Sequence, residues 1–229
     1  MKTIVKNGIT YEVKHDEPYW DQPRGGFGSE YWEVYSPKME RDVKLNSNLE
    51  RDHWLMLEAD PNVIAFCEQP IRFLAQAGES GTSIIDIWVL FADKSEEYRE
   101  LKLSSDANSK RSAKQIEIQK NWCERNDCVH RVVTELDLLQ FKTLIENCSE
   151  YIGFIPHTIT PQHKNLQQSV LDIVRQIKSI QINELIKNLV DIGEQQVLSA
   201  VFTLIHSGHL YAGLDTKKFS RTLPLSIRR

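Results

Sequence analysis

Hydrophobic and polar positions along this chain switch between two periods, and the switches mark its elements. The start, "MKTIVKNGITYEVKH", reads as a β-hairpin with Asn7-Gly8 in a two-residue turn. In "SNLERDHWLMLEAD" the apolar side carries Trp54, Leu55 and Leu57, which predicts a helix of about three turns capped by Ser47. Asp60-Pro61 stops it, because the residue before a proline is pushed out of helical geometry. "VIAFCEQPIRFLA" is strand-like, and Pro70 predicts a bend or an edge there. "TSIIDIWVLFAD" predicts one continuous strand, buried on both faces at its centre. The turn "ADKSEE" joins it to a strand in "YRELKLS", followed by a long helix in "ANSKRSAKQIEIQKNWCERN" and a strand in "CVHRVVTE". Helix, three strands, helix, strand is the order of an α/β core with a mixed sheet.

The pattern changes after "FIPHTITPQHKN", residues 154–165, which has two prolines and no apolar period and reads as a linker. It would separate a first domain, residues 1–153, from a second, residues 166–229. "NLQQSVLDIVRQIKS", "INELIKNLV" and "GEQQVLSAVFTLIHSG" predict three amphipathic helices with short turns. Two strand-like runs around a polar turn close the chain. Three helices and a hairpin predict an α+β winged helix-turn-helix domain.

Composition changes this picture in three ways. With 229 residues, 41% hydrophobic and 26% charged, the chain has the make-up of a globular protein, and no apolar run is long enough to span a membrane. The start lacks the apolar stretch of a signal peptide, and Cys67, Cys123, Cys128 and Cys148 show no CxxC spacing, so four reduced thiols in a cytoplasmic protein are expected. Cys123 and Cys128 with His130 make a zinc site only on paper, since the spacing is loose and a fourth ligand is missing. The net charge of −4 is divided unevenly. Residues 151–229 hold 9 Lys+Arg against 5 Asp+Glu, net +4, which leaves 19 against 27, net −8, in the first 150 residues. A basic tail on an acidic body suggests two units with different work, and an acidic body needs partners to hold it on DNA.

Candidate chemistry lies in the middle of the chain. An unpaired Asp86 inside "SIIDIWVLF" would be costly, so it calls for a cation, a hydrogen-bond network or a bend. Glu100 and Lys102 share one face of the following strand, with Leu101 and Leu103 expected to pack behind them, and a hairpin brings Asp86 beside Glu100. Two carboxylates hold a hard divalent cation, which activates water and opposes phosphate charge, while a lysine stabilises that charge. Ser47-x-x-Glu50 forms a capping box in which Glu50 reaches back to the Ser47 amide, and the same helix start can present Glu50 to the site. The arrangement of Asp86, 13 further residues, then Glu-x-Lys resembles the restriction-endonuclease-like nucleases.

The stretch "YSPKMERDVKLNSNLERDHWLMLEADPNVIAFCEQPIRF", residues 35–73, resembles the TnsA family, the endonuclease subunits of heteromeric transposases. The "S-x-L-E" helix start, the "LEADPNV" helix end, the "EQP" strand and the later Asp86 and "ELK" carry the likeness. It implies a restriction-endonuclease-like catalytic domain that cuts the 5′ transposon ends, on the non-transferred strand. The transposase TnsB cuts and joins the 3′ ends, and the ATPase TnsC links both to target selection. The resemblance implies Glu50, Asp86, Glu100 and Lys102 as catalytic residues. It also implies Mg2+, with Mn2+ able to substitute, held by Asp86, Glu100, Glu50 and the Leu101 carbonyl. Glu100 departs from members with glutamine there, and Ile85 stands where the wider motif often has proline. Glu58 is expected as a surface acid at the helix end and Glu68 as a structural strand residue.

In the basic tail, Lys217, Lys218 and Arg221 fall at the expected wing, Arg228 and Arg229 end the sequence, and Gln195, Gln196 and Ser199 lie on the last helix. They suit phosphate and base-edge contacts, or a solvated surface, and docking onto TnsB or TnsC is an equal use for the domain. Two other readings remain: a stand-alone restriction-like or phage endonuclease, and a catalytically inactive winged-helix DNA-binding or assembly protein.

Overall fold

Hairpins open the chain. β1 (Lys2–Lys6) and β2 (Ile9–Val13) pair antiparallel around Gly8, whose φ of +77° suits a residue without a Cβ; Asn7 lies outside the described residues. The structure, a computed structural model, describes residues 2–6, 8–19, 30–74 and 82–228. Contacts divide the chain into two units, Met1–Leu57 with Asn62–Gln140, and Glu58–Pro61 with Phe141–Arg229.

In the first unit a second antiparallel hairpin, β3 (Trp32–Ser36) and β4 (Arg41–Leu45), buries Val43 and Leu45. These strands are too short and mixed to stand out by period. Helix α1 (Asn48–Ala59) follows and buries Trp54, Leu55 and Leu57 as its spacing predicts. The main sheet has the order β10-β9-β8-β5, from β5 (Val63–Glu68), β8 (Ile87–Phe91), β9 (Glu96–Leu101) and β10 (Val129–Val133). β5/β8 and β8/β9 are antiparallel and β9/β10 parallel, so the sheet is mixed. A parallel neighbour needs a crossover, and α2 (Lys110–Arg125) supplies it.

The expected single strand over "TSIIDIWVLFAD" is instead two. β7 (Thr82–Ile84) pairs with β6 (Arg72–Leu74) in a separate ladder, and β8 begins only at Ile87. Pro70 explains the split: it has no N–H, it ends β5, and the opposing chain changes partner at the same level. Asp86 therefore sits in the break between two strands, not inside one. Helix α3 (Glu135–Leu138), closed by a Thr134–Asp137 capping box, ends the unit's elements.

The second unit holds α4 (Lys142–Tyr151), α5 (Pro161–Ile177), β11 (Ile180–Gln181), α6 (Ile182–Asn188), α7 (Glu194–His206), β12 (Leu210–Tyr211) and β13 (Pro224–Ile227). Its sheet has the antiparallel order β11-β13-β12. α4 was not foreseen; it buries Ile145, Cys148 and Tyr151, and Tyr151 stacks on Phe202 of α7 at 5.2 Å. The contact boundary accordingly falls at Gln140–Phe141. Nor is 154–165 one extended linker, because Pro161 opens α5 behind the Thr160 cap. Proline in a first turn is a start signal, since its missing N–H has no helical partner to lose. The described cysteines are free, and no described helix is long and apolar enough to cross a membrane.

Candidate active site

Asp86 is fixed by its backbone first. Its carbonyl accepts the Gln69 amide at 2.7 Å, and Gln69 has the left-handed φ of 44° that turns the chain out of β5. The preceding Glu68 is clamped by both terminal nitrogens of Arg41, at 2.7 and 2.5 Å. The pair, with Glu68 buried and Arg41 partly so, gives Glu68 the structural role expected of it and ties the "EQP" turn to β4.

The hairpin register then delivers the side chains. Ile87 lies opposite Arg99, so one step outward Asp86 comes opposite Glu100, and Asp86 Oδ2 accepts the Leu101 amide at 2.7 Å. Glu100 is fully buried. Its Oε1 lies 2.5 Å from Lys102 Nζ, so the two share a face as the period requires, although Lys102 stands just past the end of β9. Leu101 is buried, but Leu103, expected behind the pair, is 50% exposed because the strand has ended.

Glu50 lies in the first turn of α1. Its amide donates to Ser47 Oγ at 3.1 Å, and its carboxylate accepts Ser47 Oγ–H at 3.3 Å and the Asn46 amide at 2.9 Å. The cap therefore closes on Asn46, not on the Ser47 amide as expected. Capping does not remove Glu50 from the site. Burial pushes its carboxyl up, backbone and hydroxyl donors oppose this, Glu100 pushes it further and Lys102 lowers it.

The same forces act more strongly on Asp86. Burial and then the Glu100 charge push Asp86 well above the usual carboxylate range, with Glu50 adding to the rise and the Leu101 amide and Lys102 opposing it. Burial also raises Glu100, against its contacts with Lys102 and Gln119. A carboxyl raised by burial and by acidic neighbours, as Asp86 is, favours added positive charge beside it. Among the described residues no group of three or more His, Cys, Asp or Glu side chains is drawn together as a metal cage. Asp86 and Glu100 suit a hard cation of the kind that keeps much of its water and takes one or two carboxylates.

Three residues around Glu100 were not foreseen in this role. Gln119 of α2 donates to Glu100 Oε2 at 2.6 Å and to Ser83 Oγ at 2.8 Å, and its carbonyl faces His130 Nε2 at 2.9 Å. The signal was a glutamine in helical phase with buried Ser112 and Cys123. His130 thus serves the Gln119 amide, and Cys123 is buried with its thiol pushed up to about 12. Neither belongs to a metal cluster among the described residues.

The tail residues are placed in the second unit by themselves. Lys218 pairs with Glu146 at 3.2 Å, Arg221 pairs with Glu194, and Lys217 is exposed with its carbonyl held by Asn147. Gln195 is exposed; Gln196 accepts the Gly193 amide as a helix cap, and Ser199 donates to the Phe154 carbonyl. Arg228 lies over the Tyr211 ring, and Arg229 is outside the described residues. Glu58, expected at the surface, is fully buried against His206 Nε2 at 2.7 Å.

Residues 60–135, about a third of the chain, match the family model of the TnsA-like endonuclease N-terminal domain. The matched segment contains Asp86, Glu100, Lys102 and Gln119; it begins after Glu50 and ends before residues 141–229. It supports recognition of the TnsA family and a nuclease of that type. Comparison with curated proteins finds no match.

Proposed function

We propose that this chain, whose residues 60–135 match the TnsA-like endonuclease N-terminal domain, is the transposon-end endonuclease subunit of a heteromeric transposase. It hydrolyses the phosphodiester at the 5′ ends, on the non-transferred strand, using Mg2+ or in its place Mn2+. The observation that carries the reading is Asp86 opposite Glu100 with Lys102 at 2.5 Å and Glu50 in electrostatic reach.

Asp86 and Glu100 hold the cation, with Glu50 and the Leu101 carbonyl as further oxygen donors. When bound, the cation supplies positive charge that offsets the phosphate and favours hydroxide at the scissile bond. Lys102 brings a compact ammonium to the charge that builds on the phosphate oxygens. The Leu101 amide and the Gln69 turn keep Asp86 at its place in the strand break.

DNA is the substrate, with the transposase TnsB and the ATPase TnsC as partners. The net charge of −8 on the first 150 residues supports recruitment by partners over unaided binding. The second unit acts as a winged helix, a reading supported by α5–α7 and the β11-β13-β12 sheet. Lys217, Lys218 and Arg221 lie between β12 and β13 and meet phosphate, with Gln195 and Gln196 as contacts from the start of α7. Lys218 and Arg221 must leave Glu146 and Glu194 to do so.

The test is cleavage of transposon-end DNA in Mg2+ by wild type, Asp86→Ala and Lys102→Ala, with the partner transposase present. Both variants are expected to fold and to lose at least about a hundredfold in rate, the scale of removing one charge-stabilising group. Wild-type rates in both variants would make the cluster structural.

A further inference from the structure

Glu100 is held from outside its own strand. Gln119 is fully buried, and a buried primary amide needs partners for two donor hydrogens and one carbonyl. It has them on three elements: Glu100 on β9, Ser83 on β7 and His130 on β10. Only one amide orientation serves all three, since a flipped amide would set its carbonyl against the Glu100 carboxylate. The network therefore has a direction. His130 donates from Nε2, Gln119 accepts and donates onward, and Glu100 accepts at Oε2. Lys102 takes Oε1 at 2.5 Å. The Gln119 hydrogen bond at Oε2 and the Lys102 ammonium against Oε1 thus approach the carboxylate from two different elements.

We propose that Gln119, locked by His130, is a positioning residue that sets the orientation of the Glu100 carboxylate toward a divalent cation. The inference rests on the nuclease reading above. His130 acts at one remove by preventing the amide from turning. Ser83 shares the amide without touching Glu100, which makes it the internal control.

The experiment is Mn2+ binding to the full chain by titration calorimetry, with metal-free thermal unfolding recorded for every variant. Gln119→Met keeps the length and removes the donor; it is expected to weaken Mn2+ about tenfold, the low end for partners of metal ligands. His130→Phe is expected to weaken it by a smaller factor and Ser83→Ala to leave it unchanged. Wild-type Mn2+ affinity in Gln119→Met overturns the proposal. So does a loss in Ser83→Ala equal to that in Gln119→Met, which would mark general loosening. Should Gln119→Met fail to fold, His130→Phe decides, and unchanged affinity there also overturns it. Asp86→Asn separates the two claims. If wild type and Asp86→Asn bind Mn2+ alike, the metal-nuclease reading falls and the inference with it. If Asp86 is required but Gln119→Met binds as wild type does, the inference alone falls.

Discussion

Asp86 carries a cost at the residue scale that the proposed cation-holding role would explain. Burial and the Glu100 charge keep its carboxyl protonated at pH values where a free aspartate has ionised. Across that window the folded chain binds more protons than the unfolded one, so stability is greater at the acid end and falls as pH rises. Asp86→Asn removes the titration. The metal-free variant is predicted to melt above wild type at neutral pH, and added Mg2+ to raise the melting temperature of wild type only. Equal melting temperatures, unmoved by Mg2+, would contradict this. The Arg41–Glu68 pair contributes through its geometry instead, with both terminal guanidinium nitrogens on one carboxylate. Glu68→Ala strands a mostly buried guanidinium, and urea titration is predicted to show a loss of about 3 kcal/mol. Glu68 also precedes the turn that holds Asp86, so cleavage by the folded fraction is expected to fall too.

At the scale of elements, Asn147 of α4 shows how one side chain organises a loop. Its Nδ2 donates to the Leu214 and Lys217 carbonyls at 2.7 and 2.8 Å, and its Oδ1 accepts the Phe219 amide at 2.8 Å. Asn147→Ala is predicted to cost about 2 kcal/mol by leaving backbone groups unpaired, with faster hydrogen exchange confined to residues 214–219. Protection there equal to wild type would rule the clamp out. None of this was legible in the sequence, where α4 falls in an unassigned stretch and a lone Asn gives no long-range signal. What was legible follows from period. Trp54, Leu55 and Leu57 defined α1, and the even spacing of Glu100 and Lys102 put them on one face. The hairpin placed Asp86 beside Glu100 for the same reason. Split strands were hidden because β7 and β8 form one apolar run, and only the loss of an N–H at Pro70 separates their partners. Gln119 was hidden because a polar residue on a helix reads as surface until its partners on three strands are known.

For the whole molecule, charge sets the expected behaviour on DNA. The first 150 residues carry −8 and the rest +4, so affinity should be modest and salt-dependent. Lys217→Ala with Lys218→Ala in the full chain is predicted to weaken binding at low salt and to flatten its salt dependence by about one to two in log–log slope. An unchanged slope would assign the domain to protein docking. As proposed, the protein is a recruited nuclease that cuts one defined strand. This is tested most directly with a strand-labelled transposon end, Mg2+ and the partner transposase, each protein also assayed alone. The expected result is a break in the non-transferred strand that requires both the partner and Asp86. The same break from Asp86→Ala, or from the partner alone, would contradict it.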